Sequence, residues 1–107
     1  MLSWDFNKKV GQAIYLNNEG KEWVYNLYQG NAYLIEVAEW EENGSNLYSV
    51  SKFALDKKHL ESQIAEGDYN RRYAKLIRLT INKNVCHKAY EIAKLFGKVD
   101  GVTVEIK

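Results

Sequence analysis

Cys86-His87 is the one place where two reactive side chains adjoin, and adjacency is the wrong spacing for shared chemistry. Neighbours on a helix point about 100° apart, so they converge neither on one metal nor as a nucleophile–base pair. A helix N-terminus could activate the thiol, but a small packing cysteine beside a surface histidine explains the pair more simply. His59 falls early in a candidate helix and reads as solvated. Two histidines and one cysteine would make a zinc site only if the fold gathered them, so neither a metal nor a cofactor is expected.

Among the carboxylates, Glu36 stands out. It sits mid-strand on the side assigned below to the core, opposite Tyr25 in the expected register. A buried carboxyl is costly unless paired, so a pocket around Glu36, Tyr25 and Ser51 is the enzymatic reading. The simpler readings are a slipped register or an exposed edge of that face. A two-carboxylate hydrolase needs a second acid at a defined separation, and Glu39, Glu41 and Glu42 read better as a solvated strand end. Neither a Gly-x-Ser-x-Gly elbow nor a phosphate-binding loop occurs. No catalytic residues are assigned.

Binding chemistry has two candidate surfaces. Tyr15, Tyr28, Tyr33 and Tyr48 can share one face of a sheet, and tyrosine-rich faces serve protein interfaces. Arg71, Arg72, Lys75, Arg78 and Lys83 could contact a polyanion, since single-stranded nucleic acids are held by cations and stacked aromatics. The charge distribution separates the two. Residues 1–51 carry Lys8, Lys9 and Lys21 against Asp5, Glu19, Glu22, Glu36, Glu39, Glu41 and Glu42, while the basic excess follows residue 51. The aromatic hairpin thus lies in the acidic half, which opposes a nucleic-acid platform there. Attraction between the halves explains the asymmetry without a ligand.

The elements that position these residues are organised around 22–41. Two runs rich in aromatic and β-branched residues flank Gly30-Asn31, a pair suited to a two-residue hairpin turn. A first strand over 10–16 precedes it, joined through Asn17-Asn18-Glu19-Gly20. Asn43-Gly44 signals a type I′ turn into a strand over 46–54. Hairpin-length loops make these four strands an antiparallel meander. With Gly30-Asn31 central, Leu27 faces Leu34 and Val24 faces Val37. With Asn43-Gly44 central, Trp40 faces Leu47, Val37 faces Val50 and Leu34 faces Phe53. One face then carries Ile14, Leu16, Trp23, Tyr25, Leu27, Leu34, Trp40, Leu47 and Phe53, and is taken as the core. The other carries Tyr15, Val24, Tyr28, Tyr33, Ile35, Val37, Tyr48 and Val50, which is too apolar to be left uncovered by helix, partner or ligand.

The rest alternates. Asp56 as N-cap, a Leu55–Leu60 staple and Gly67 as stop delimit a helix over 55–67. A strand over 73–81 alternates Tyr73, Ile77, Leu79 and Ile81 against Ala74, Leu76, Arg78 and Thr80. Asn82 or Asn84 caps a helix to Phe96, ended by Gly97, and Asp100-Gly101 leads into a strand over 102–106. The order ββββαβαβ describes a single compact α+β domain, with a four-stranded antiparallel meander followed by α-β-α-β.

At 107 residues, with 46% apolar and 13% aromatic side chains, the chain can bury a core without disulfides. A net charge of +1 gives no overall pull toward nucleic acid or an anionic membrane. The lone Cys86, the lack of a membrane-length apolar run and the lack of a signal-like N-terminus suit a cytoplasmic protein. The function expected is a small non-enzymatic interaction or regulatory protein that binds another protein, or a second copy of itself, through the tyrosine face. A nucleic-acid accessory role for the basic half is the alternative, ahead of an enzyme with a pocket at Glu36.

Overall fold

The computed structural model describes residues 5, 7–30, 33–54, 57–66 and 74–107. They form β1 (Lys9–Asn17), β2 (Glu22–Gln29), β3 (Tyr33–Glu42), β4 (Ser45–Ala54), α1 (Lys57–Glu66), β5 (Ala74–Ile81), α2 (His87–Phe96) and β6 (Thr103–Ile106). All strands join one sheet in the order β4-β3-β2-β1-β5-β6. The α+β architecture is therefore a four-stranded antiparallel meander to which β5 adds antiparallel beside β1, with β6 parallel to β5. Leu55, Asp56 and Gly67, the expected staple and caps of α1, lie outside the described residues.

Both helices contribute to one cluster with the sheet. Leu60 of α1 and Ala89, Ile92, Ala93 and Phe96 of α2 pack with Ala13, Tyr15, Tyr25, Leu27, Leu34, Leu76, Leu79 and Ile81. Ala89 and Ala93 keep α2 close to the sheet, while each large apolar side chain taken from water contributes about 1.5–3 kcal/mol. The first turn of α2 begins after Cys86, which is its N-cap residue by backbone, so neither Asn82 nor Asn84 caps it. Gly97 ends the helix in the right-handed region, donating its N–H to Ala93 O.

Register follows turn chemistry. Asn43 and Gly44 both take positive φ, as a type I′ turn requires. Accordingly Trp40 pairs Leu47, Val37 pairs Val50 and Leu34 pairs Phe53, as expected. At the β2–β3 turn the expected two-residue loop is corrected to a longer one. Gln29 pairs Leu34 and Leu27 pairs Glu36, a shift of two positions that leaves every residue on its expected face.

Two faces are corrected. In β1 the helix-bearing side carries Ala13 and Tyr15, whereas Ile14 is half-buried and Leu16 exposed on the opposite side. Tyr15 pairs Trp23 and Ala13 pairs Tyr25, which sets this parity. The five-residue connection from Asn17 to Lys21 imposes no two-residue register, and both alternating sets of β1 are apolar. In β5 a bulge between the Ile14↔Arg78 and Tyr15↔Leu76 pairs leaves Ile77 without a partner on β1. Leu76 and Leu79 therefore both point into the core, which simple alternation forbids.

Candidate functional site

The sheet splits at one end. β1 pairs β2 as far as Leu16↔Glu22, and β3 pairs β4 as far as Glu42↔Ser45. Between these two hairpins, β2–β3 pairing spans only Asn26–Gln29 with Leu34–Val37. Carried further, that register would set Tyr25 against Ala38, Val24 against Glu39, Trp23 against Trp40 and Glu22 against Glu41. The last two rows oppose bulky rings and like charges, and like charges directly across a sheet are destabilising. The strands part instead. Glu22–Tyr25 and Ala38–Glu42 thus face each other across a fork without pairing.

The fork holds a cleft of about 630 Å³ lined by Glu22, Trp23, Val24, Tyr25, Ala38, Glu39, Trp40 and Ser49. Trp23 and Trp40 are 41% and 46% exposed, high for the two largest side chains of the sheet. Alternation assigns the walls. Trp23, Tyr25, Ala38 and Trp40 project to the helix-bearing side, and Glu22, Val24, Glu39 and Glu41 to the other, where Tyr48 pairs Glu39. Among the described residues, Glu22, Glu39 and Glu41 make no ion pair. Leu16, Trp23, Val24, Trp40, Leu47 and Tyr48 are all exposed, and all lie toward this end of the meander. This end of the meander therefore exposes large apolar side chains on both faces of the sheet.

The four tyrosines of the expected binding face do not act together. Tyr15 is buried under the helices. Tyr28 is buried on the opposite face in a small cluster with Ile35, Val37 and Val50. Tyr48 is 52% exposed beside the fork, and the side chain of Tyr33 lies outside the described residues. Burial, and secondarily the charge of Glu39, raises the Tyr28 phenol above its ordinary pKa. A raised folded-state pKa favours the neutral form, so its stabilising contribution is full below about pH 10 and is lost as pH rises through the folded value. Urea midpoints measured from pH 8 to 11 are expected to fall less steeply at the alkaline end in Tyr28→Phe than in the wild type. Parallel curves would exclude Tyr28 as the source.

Glu36 is 2% exposed. Tyr15 reaches across β2 to donate its hydroxyl hydrogen bond to Glu36 Oε2, and Ser51 Oγ donates to Glu36 Oε1 at 2.8 Å. The Tyr15 ring meets Tyr25 edge-on, with centroids 5.3 Å apart. Tyr25 lines the cleft, but Glu36, Tyr15 and Ser51 do not. This is a network spanning β1, β3 and β4 that lies apart from the cleft.

Lys75, Arg78 and Lys83, the described members of the expected basic set, do not form one patch. Arg71 and Arg72 lie outside the described residues. Lys75 and Lys83 flank opposite ends of β5, roughly 25 Å apart at strand rise. Arg78 pairs with Glu105 at 3.5 Å, and Lys83 joins Lys9 and Lys107 around a separate depression of about 360 Å³. Cys86 is exposed, its thiol donating to Gln29 Oε1 at 2.7 Å, and His87 faces Glu91 at 3.6 Å. Among the described residues, no three His, Cys, Asp or Glu side chains are placed to hold a metal ion, and no helix is long and apolar enough to cross a membrane.

The fork was not legible beforehand. Trp23 and Trp40 were assigned to the core by alternation, and only the early end of β2–β3 pairing turns them into walls. Compared with protein-family models, curated proteins and solved structures, the chain finds no significant match.

Proposed function

We propose that this is an interaction protein that takes an extended segment of another protein into the fork between β2 and β3. The observation that carries the reading is the pair of facing strand segments, each laddered on its outer edge but not to the other, walled by Trp23 and Trp40. Alternate backbone N–H and C=O groups of such segments can complete a ladder with a guest strand, and the exposed rings can cover its side chains. Strand addition gives affinity through the main chain and selectivity through alternate side chains. Tyr48 and Leu47 extend the apolar surface beside the cleft, keeping one of the expected tyrosines in the interface. Among the described residues, Lys75 and Lys83 stand at opposite ends of β5 and Arg78 is paired with Glu105, which supports this reading over nucleic acid.

Selection of displayed random decapeptides against the purified protein tests this. Enriched peptides are expected to bind the wild type at least tenfold more tightly than Trp23→Ala/Trp40→Ala, because buried tryptophan anchors are each worth about 2 kcal/mol. N-methylation of alternate peptide residues is expected to abolish binding while leaving the protein untouched. Absence of any enriched peptide, or equal binding of the N-methylated form, would sink the proposal.

A further inference from the structure

Resting on that reading, we infer that the fork selects a segment in which lysine or arginine alternates with apolar residues. The two sides of the cleft differ in chemistry. A guest strand between β2 and β3 would present alternate side chains to alternate faces. On the helix-bearing side these meet Trp23, Tyr25, Ala38 and Trp40, surfaces that shed water onto apolar groups. On the other side they meet Glu22, Val24 and Glu39, with Glu41 in the next row beyond them. Glu22 and Glu41 would be cross-strand neighbours if the sheet were continuous, and their repulsion helps keep the fork open. A cation placed between them relieves that repulsion, so the charge that disfavours closing the empty sheet favours closing it around a basic guest. Lys75, the described cation on the row of Glu22, stands two strands away beyond Leu16. The nearby Glu19 and Glu42 are exposed and add to the same field, which stays net acidic with Lys21 beside Glu22, and a rim of one net sign accelerates capture of the opposite sign.

The test uses three capped hexapeptides with valine at alternate positions and lysine, glutamate or serine between, titrated calorimetrically at low salt. The lysine peptide is expected to bind at least tenfold more tightly than the serine peptide, and the glutamate peptide more weakly than both. Raising the salt to 0.5 M is expected to shrink the differences. Glu22→Lys/Glu41→Lys is expected to reverse the order, and these exposed positions leave folding intact by circular dichroism. Equal affinity for the three peptides, or no binding of any of them by a protein that binds selected decapeptides, overturns the basic preference and leaves strand addition standing. Failure of the decapeptide selection itself removes the reading beneath it. A chain that dimerises through the fork, shown by light scattering and loss of the dimer in Trp23→Ala/Trp40→Ala, makes a second copy the occupant and also overturns the inference.

Discussion

Gly11→Ala is expected to destabilise the protein by at least about 3 kcal/mol, lowering the melting midpoint by on the order of 10 °C or more. Gly11 lies between Leu27 of β2 and Ile81 of β5, where β1 also bulges against β2. A Cβ built there would stand 1.9 Å from the carbonyl oxygen of Thr80. That obstacle is backbone, so no side-chain rotation relieves it, and the β1–β5 ladder must shift. Gly20→Ala is the matched control. Gly20 has φ +80 but nothing within 4 Å of a new Cβ, so its loss is the left-handed penalty alone, about 1–2 kcal/mol. Thermal unfolding of both variants separates crowding from backbone strain; equal midpoints would show that the ladder admits the methyl group for no more than the left-handed penalty.

Glu36→Ala is expected to lose about 2–4 kcal/mol by urea unfolding, although it removes a carboxyl group from an apolar interior. The reason is what it leaves behind. The hydroxyls of buried Tyr15 and half-buried Ser51 lose this acceptor, and an unmade buried hydrogen bond costs roughly 1–3 kcal/mol per group. Tyr15→Phe is expected to cost less than Glu36→Ala, and the double variant less than the two losses added, because both changes remove the same contact. Additive losses would show that the Tyr15–Glu36 contact is energetically idle.

These two sites show where the chain could be read and where it could not. Asn43-Gly44 carries its own geometry, so the β3–β4 register was legible from two residues. Gly30-Asn31 resembles such a turn, yet the loop is longer; because the shift is two positions, Leu27, Leu34 and Glu36 still share a face. The parity of β1 was illegible because Ile14–Leu16 and Ala13–Tyr15 are both plausible cores. The outcome turns on partners far away in sequence: Thr80 against Gly11, and Glu36 for the Tyr15 hydroxyl. The β5 bulge is equally nonlocal, since it is defined only against β1. Glu36 was rightly placed on the core side with Ser51 beside it, which follows from register, whereas Tyr15 follows only once β1 is turned over. The fork lay furthest from view, because the ending of a ladder leaves no mark in the residues that fail to pair.

The place of β1 between β2 and β5 also orders the folding of the chain in time. β1 to β4 can zip together through successive turns, contacts that close small loops and form early. The other edge of β1 must wait for residues 74–81, which follow three further strands and a helix. During synthesis, the Gly11–Asn17 edge and the underside bearing Ala13 and Tyr15 stay open until β5 and α2 have emerged. The newborn meander is then a sheet with an unfinished flank, and its capture of the closing third, rather than hairpin formation, sets the pace of folding.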